Sequence, residues 1–217
     1  MSFDSAYQRE AAEIAGAEAL LIGAGAGMGV DSGLPDFRGN EGFWKAYPPF
    51  RGKMFAEISN PTWFRTDIDQ EWGFFGHRLN LYRSTQPHAG FAILKKWADR
   101  MPGGAFVFTS NVDGHFQLAG FDESQVLECH GSIHRLQCAT PCCDDIWPTP
   151  PEPIDVDETT IRASPPHPIC PRCGGVARPN ILMFGDYDWI EKRLVTQHDA
   201  LQRWLEERHG LRRAVIE

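Results

Sequence analysis

The stretch that most constrains the fold is ALLIGAGAGMG, residues 19–29. A short run that is apolar on both faces and then breaks into alternate glycines is typical of a central strand in a parallel sheet. The preceding residues, from Ser5 to about Ala15, have helical spacing of their apolar side chains, and Gly16 can end that helix. A helix, a buried strand and a glycine loop in succession predict an α/β fold.

A second strand, AFVFTSN at residues 105–111, follows the helical stretch FAILKKWADRM at residues 91–101. Its polar ending should fall at the carboxyl end of the strand, where ligands bind in open parallel sheets. Near the end of the chain, residues 191–210 predict an amphipathic helix ended by Gly210, and LRRAVIE indicates the beginning of a further strand.

The formal net charge of −8 argues against binding to nucleic acid or to anionic membranes, and it allows a basic peptide as substrate. The chain has no basic leader and no run approaching about 18 apolar residues. These features predict a cytoplasmic protein. They give no indication of its oligomeric state.

Changes in composition predict three units in 217 residues. Residues 42–85, rich in Trp, Phe and Tyr, predict a helical subdomain that packs an aromatic core of its own, and residues 132–179 predict an inserted module with a proline-rich linker. The remaining ranges, 1–41, 86–131 and 180–217, would form a discontinuous Rossmann-like domain with a parallel sheet.

The six cysteines lie between Cys129 and Cys173, in an arrangement that favours metal ligation over scattered disulfides. Cys170 and Cys173 form a C-x2-C pair, which suits two corners of a tetrahedral zinc site. Cys138 with Cys143 would complete it, and Cys142 is the alternative to Cys143. A site with four protein ligands has a structural role, so the zinc would stabilise a module that lacks a core of its own. We expect the remaining Cys129 to be a buried packing residue.

The glycine loop does not match the dinucleotide pattern G-x-G-x-x-G. Counting from Gly23, Gly25 or Gly27, the sixth position is Met28, Val30 or Ser32. No acidic residue stands at a strand end about 20 residues further on, as that pattern requires. An ordinary dehydrogenase is therefore disfavoured.

Several segments are informative only in combination: GAGMGVDSGLPDFRG, TSNVDGHFQLAG, ECHGS, the cysteine pairs and CGGVARPNILMFGD. In this order and at this spacing the chain resembles the sirtuins, the NAD-dependent protein deacylases, over nearly its whole length. The resemblance implies a Rossmann-like domain with an inserted zinc module, and NAD bound between the two. It also implies an acylated lysine in a protein or peptide as substrate, with nicotinamide and O-acyl-ADP-ribose as products.

The resemblance also assigns roles to individual residues. His130 would be the base that takes a proton from a ribose hydroxyl, a task suited to imidazole, whose unperturbed pKa is about 6.5. Asn111 would share the catalytic centre, and an apolar tunnel lined by Phe37 and by Ile181, Leu182, Met183 and Phe184 would exclude water. The residues implied in NAD binding are Gly25, Ala26, Gly27, Asp36, Phe37, Arg38, Ser110, Asn111 and Asp113.

On the substrate side, the resemblance implies that an acylated peptide lies as an added strand along Ile181, Leu182, Phe184 and Gly185. Sirtuins that prefer succinyl or malonyl groups carry a Tyr-x-x-Arg pair, and the best match here is Phe75-Gly-His-Arg78. Because Phe75 cannot donate a hydrogen bond, we expect an uncharged acyl group or no strong acyl preference.

The chain departs from the sirtuin pattern in four places. Ser110 replaces a glutamine, Gly29 replaces a serine, and FGD replaces FGE. The chain also stops at AVIE, before the segments that contact adenine in sirtuins, so either it is a fragment or the adenine half-site is missing. If nothing follows Glu217, we expect weakened NAD binding and an exposed sheet edge. Two alternatives to a deacylase stay open: an NAD hydrolase or ADP-ribosyltransferase on the same scaffold, and a catalytically degenerate module that binds NAD or zinc.

Overall fold

The computed structural model describes residues 3–36 and 39–217. Its helices, in chain order, are α1 (Phe3–Gly16), α2 (Gly27–Val30), α3 (Gly39–Ala46), α4 (Phe55–Ile58), α5 (Trp63–Thr66), α6 (Ile68–Ser84), α7 (Ala89–Ala98), α8 (His115–Leu118) and α9 (Lys192–Glu207). Its strands are β1 (Ala19–Ala24), β2 (Ala105–Thr109), β3 (Val126–Glu128), β4 (Gly131–Cys138), β5 (Trp147–Pro148), β6 (Val156–Asp157), β7 (Arg162–Ala163), β8 (Ala177–Ile181) and β9 (Arg213–Ile216). Within the described ranges, no helix is both long and apolar enough to cross a membrane.

The main sheet is parallel, with strand order β3-β2-β1-β9. The predicted α/β fold is therefore confirmed, with β1 in an interior position as its apolar sequence requires. Alternate residues of β1 point to opposite faces. Leu20 and Ile22 pack with Phe91 of α7 on one face, whereas Ala19 packs with Trp204 of α9 on the other.

A second sheet is antiparallel, with order β5-β4-β8, and β6 and β7 form a separate hairpin. The proline-rich linker of the module contains the short strands β6 and β7 but no helix. The proposed unit boundaries at residues 131/132 and 179/180 fall at the first residues of β4 and within β8. The unit boundaries themselves remain predictions.

The helical region and the cysteine module share one hydrophobic core. Phe43, Trp72 and Phe75 of the helical region belong to the same buried cluster as Ile133 and Ala177 of the antiparallel sheet. The Trp72 indole Nε1 donates to the carbonyl oxygen of Ala177 at 3.0 Å. The expectation of a separate aromatic core for residues 42–85 was therefore wrong, because these rings also cover the antiparallel sheet.

Glycine makes the contact between α6 and the hairpin possible. A Cβ atom on Gly73 would lie 2.1 Å from the carbonyl oxygen of Ile161, which is backbone and cannot move aside. A Cβ on Gly76 would lie 2.6 Å from Cγ2 of Ile154. The two glycines of WGFFG therefore allow α6 to lie directly against the module.

Candidate functional site

A cavity of about 460 Å³ opens where the carboxyl ends of β1 and β2 meet the helical region. Such a volume is typical of a small-molecule site. Its described lining residues are Ala26, Gly29, Leu34, Pro35, Phe55, Ser59, Arg78, Tyr82, Ser110, Asn111, Val112, Asp113, His130, Ile181, Leu182, Met183 and Phe184. The cavity therefore brings together residues from six separate parts of the sequence.

Hydrogen bonds connect the ends of β1 and β2 below the cavity. The Thr109 hydroxyl and the Ser110 amide both donate to the carbonyl oxygen of Ala24, at 3.1 and 3.0 Å. The Asn111 Nδ2 donates to the carbonyl oxygen of Gly25 at 2.9 Å. Asn111 is thus fixed by the glycine loop itself.

His130 lies at the mouth of the cavity, where its ring is exposed to solvent. Its Nδ1 lies 3.2 Å from the carbonyl oxygen of Ser110. Since a carbonyl oxygen can only accept, Nδ1 must carry the proton of this bond, and in the neutral ring Nε2 then has the free lone pair. A backbone contact therefore selects the tautomer that can act as a base.

The glycine after His130 is required by the backbone. Gly131 has φ of 79°, and a Cβ there would lie 2.0 Å from the carbonyl oxygen of Asn180. The amide of Leu182 in turn donates to the carbonyl oxygen of His130 at 3.0 Å. The close approach of β4 and β8 at the HG dipeptide thus carries His130 to the edge of the cavity.

Asp113 is buried, and its Oδ1 accepts from the backbone amide of His115 at 2.9 Å. Cys129, the neighbour of His130, is half-buried, and burial raises the pKa of its thiol. A protonated thiol is a poor nucleophile. These surroundings agree with the interpretation of Cys129 as a packing residue.

One wall of the cavity includes three residues that were not predicted from the sequence. Phe55, Ser59 and Tyr82 line it together with Arg78, whose Nε and Nη2 donate to the Tyr82 hydroxyl at 3.1 and 2.9 Å. Burial raises the pKa of the Tyr82 phenol, which therefore stays protonated. The spacing of four residues between Arg78 and Tyr82 on a predicted helix could have revealed this pair. Nothing in the local sequence of Phe55 or Ser59 indicates their position.

The segment from Ile181 to Phe184 forms an adjoining wall. Buried ionic contacts hold it, because Arg178 Nη1 and Nη2 donate to the two carboxylate oxygens of Asp186 at 2.7 and 2.8 Å, with both side chains fully buried. Asp186 also accepts from the amide of Met183 at 3.3 Å. The amide of Phe184 donates to the carbonyl oxygen of Ser59 at 3.0 Å, which joins the two walls.

Four other residues that were predicted to bind NAD or the peptide are next to lining residues in the sequence but do not line the cavity themselves. Gly25 and Gly27 flank the lining residue Ala26, Asp36 follows Pro35, and Gly185 follows Phe184. Phe37 and Arg38, which the sequence analysis placed at the cofactor, lie outside the described residues.

The cysteine cluster consists of Cys138, Cys142, Cys170 and Cys173, whose sulfur atoms all lie within 4.8 Å of one another. The Sγ of Cys138 lies 3.8 Å from that of Cys173, and the Sγ of Cys142 lies 3.7 Å from that of Cys170. Four thiolates at the usual Zn–S distance of about 2.3 Å occupy tetrahedral corners about 3.8 Å apart. The donor set therefore fits a structural zinc ion.

The choice of Cys143 as the fourth ligand was wrong. Cys143 does not belong to the cluster, and its Sγ lies 3.8 Å from that of Cys142. Cys143 therefore lies beside the cluster, close to one of its four sulfur atoms, and is not one of the four. The structure selects Cys142, the alternative that sequence spacing allowed.

Comparison with known proteins agrees with this geometry. A model of the Sir2 family matches residues 25–203. An NAD-dependent protein deacylase of Aquifex aeolicus is 32% identical over 162 residues, which cover 75% of this chain and 59% of that protein. NAD-dependent protein deacylase 1 of Pseudomonas aeruginosa is 33% identical over 174 residues, which cover 80% of this chain and 64% of that protein. The chain thus spans about three fifths of the length of these relatives.

Among solved structures, a Sir2 homologue in complex with NAD superposes with a TM-score of 0.67 at 25% identity. The match covers 94% of this chain and 69% of the homologue. Fold, site and sequence agree: the chain belongs to the Sir2 family.

Proposed function

We propose that this protein removes acyl groups from lysine side chains, with NAD consumed as co-substrate and nicotinamide and O-acyl-ADP-ribose released. The observation that carries the proposal is the single cavity shared by His130, Asn111 and the segment from Ile181 to Phe184. The names of the relatives and the NAD complex of a homologue support it.

His130 is the proposed general base. When bound, NAD supplies an electrophilic ribose carbon and a ribose hydroxyl. The Nε2 lone pair of His130 would take the hydroxyl proton, while Nδ1 keeps its bond to the Ser110 carbonyl oxygen. Because this bond strengthens as the ring becomes positively charged, it also stabilises the imidazolium that forms.

The glycine loop would hold the nucleotide. Ala26 lies in the cavity wall at the start of α2, and Asn111 fixes the loop through Gly25. Backbone amides at such a turn suit a pyrophosphate group. Gly25, Ala26, Gly27, Asp36, Ser110, Asn111 and Asp113, with Phe37 and Arg38, remain the proposed cofactor residues.

The substrate peptide would lie along residues 181–185. The amides of Leu182, Met183 and Phe184 already bond to groups within the chain. An added strand would therefore be held through carbonyl oxygens of this segment, which accept hydrogen bonds from the peptide amides. The apolar side chains of the same segment would exclude water from the acyl group.

A product assay tests the proposal. The protein is incubated with NAD and with acetyl-, succinyl- or longer acyl-lysine peptides, and nicotinamide, O-acyl-ADP-ribose and peptide mass are followed. We expect all three products with the acetyl peptide. Nicotinamide release without deacylation would instead identify an NAD hydrolase, and absence of both would contradict an enzymatic role. Faster turnover of the succinyl peptide would contradict the preference for an uncharged acyl group and assign Arg78 and Tyr82 to a carboxylate.

The His130→Ala variant provides the control for the assigned base. We expect product formation to fall by about 100-fold or more, the size typical of a lost general base. The zinc content should not change, since His130 is not a member of the cysteine cluster. Activity that survives this substitution would overturn the role of His130.

A further inference from the structure

A second depression, which we call the arginine groove, lies behind the catalytic cavity. Its volume is about 530 Å³, and its lining includes Arg83 of α6, Arg135 of β4 and Arg193 of α9. Asp113 lines the cavity, whereas the next residue, Gly114, lines the arginine groove. The two sites are therefore separated by a single turn of backbone.

The charges in the arginine groove do not balance. Arg135 and Arg193 share the carboxylate of Glu123, at 2.8 and 3.0 Å, and Arg193 also contacts Glu128 at 2.5 Å. Arg83 donates instead to backbone carbonyl oxygens, the shortest of these bonds being 2.8 Å to Pro150. The lining of the arginine groove therefore holds three guanidinium groups and one carboxylate, that of Glu123, while the carboxylates of Glu128 and Glu152 act on Arg193 and Arg83 from outside the lining.

Arg193 also has one hydrogen-bond donor that lacks an acceptor among the described residues. The Arg193 side chain is only 15% exposed, and its buried Nη1 has no hydrogen-bond partner among the described residues. A buried, unpaired donor of this kind is costly unless a ligand or water supplies an acceptor. Ser132 and Gln117 add neutral polar groups to the same wall.

The chemistry of the lining indicates the ligand. Guanidinium groups match phosphate oxygens in geometry and charge, and arginines that converge from three elements suit a tetrahedral group with several free oxygens better than a planar carboxylate. Leu118 and Pro148 give the arginine groove an apolar side, and the Leu118 side chain is exposed. We propose that the arginine groove binds a small molecule through a phosphate group.

Calorimetric titration of the whole protein tests this site. AMP serves as the probe for a phosphate ester and pyrophosphate as the probe for an inorganic phosphate. We expect at least one probe to bind, and the affinity to fall by about tenfold in Arg83→Gln and in Arg135→Gln, the loss of one charge-assisted contact. The matched control is Arg203→Gln, an exposed arginine on the helix that carries Arg193, which should not change the affinity.

The outcomes distinguish the arginine groove from the catalytic cavity, because neither Arg83 nor Arg135 is a nucleotide contact in the proposed function. Binding that persists unchanged in both variants would place the phosphate elsewhere and overturn the proposal, as would the absence of binding by either probe. Arg83 also holds the backbone near Pro150, so Arg83→Gln could fail to fold. In that case the Arg135→Gln variant, at a half-exposed residue, still tests the proposal.

Discussion

At the scale of single residues, backbone contacts prepare the side chains for their chemistry. His130 is oriented by a carbonyl oxygen of the neighbouring strand end, and Asn111 by a carbonyl oxygen of the glycine loop. Asn111 follows a predicted strand, so its place near the sheet edge can be predicted from the sequence, whereas His130 is located only through the resemblance to sirtuins. Their hydrogen-bond partners could not be predicted, since Ser110 and Gly25 contribute main-chain atoms that look the same for every residue type.

The cysteine cluster gives a prediction at this scale. Cys142→Ser should lose most of the bound zinc and destabilise the protein, because one of four thiolate ligands is removed. Cys143→Ser, at the next position, should keep both zinc and stability. Metal content by atomic absorption and thermal unfolding measure the two effects. Equal zinc loss in both variants would contradict the assignment of Cys142.

At the scale of elements, the segment after β8 is held by a buried ion pair. Asp186 accepts from both terminal nitrogens of Arg178 and from the amides of Met183 and Asp188, the last at 3.2 Å. One carboxylate thereby fixes the turn that follows the proposed peptide edge. Asp186 is the aspartate of FGD, where sirtuins have the longer glutamate of FGE. Both of its carboxylate oxygens still bond to Arg178.

Asp186→Asn should therefore destabilise the protein strongly. Removing one partner of a buried pair leaves the other charge uncompensated and costs about 3–5 kcal/mol. Asp188→Asn is the matched control, because Asp188 pairs with Arg65 at the surface, where the side chains are 42% and 52% exposed. That change should cost less than about 1 kcal/mol. Urea unfolding compares the two, and similar midpoints would show that the Arg178 pair contributes little.

Periodicity predicted the elements of the parallel sheet better than those of the module. The apolar runs of β1 and β2 and the helical patterns of α1, α7 and α9 were recognised, with ends within a few residues of those observed. In the module, β4 pairs with β8 across a long loop, and residues such as Arg178 and Asn180 are buried in the pair. A strand that buries polar residues has no alternating pattern, so these elements could not be read from the sequence.

At the scale of the whole molecule, the shared core contains an acidic residue. Glu71 of α6 is fully buried, and burial raises the pKa of its carboxyl group well above the ordinary 4.5. The charge of Asp67 also raises this pKa, whereas the charges of Arg178 and Arg78 lower it by a smaller amount. Both carboxyl oxygens lack a hydrogen-bond partner among the described residues. The native protein therefore holds a proton at this site that the unfolded chain releases.

This proton makes stability depend on pH. Between 4.5, where the unfolded chain ionises, and the raised value of the folded protein, the native state binds the extra proton. The free energy of unfolding should therefore fall as the pH rises through this window. Glu71→Gln should remove that fall and become more stable relative to the unmodified protein at higher pH. Urea midpoints across the range measure it, with the exposed Glu206→Gln as control. Parallel profiles for all three proteins would refute the prediction.

The bond from the Phe184 amide to the Ser59 carbonyl oxygen has a consequence for dynamics. It joins the end of α4 to the proposed peptide edge, so its proton exchanges with solvent when these two segments separate. The exchange rate of this one amide hydrogen therefore reports how often the two segments part. A ligand that holds both walls together should slow that exchange.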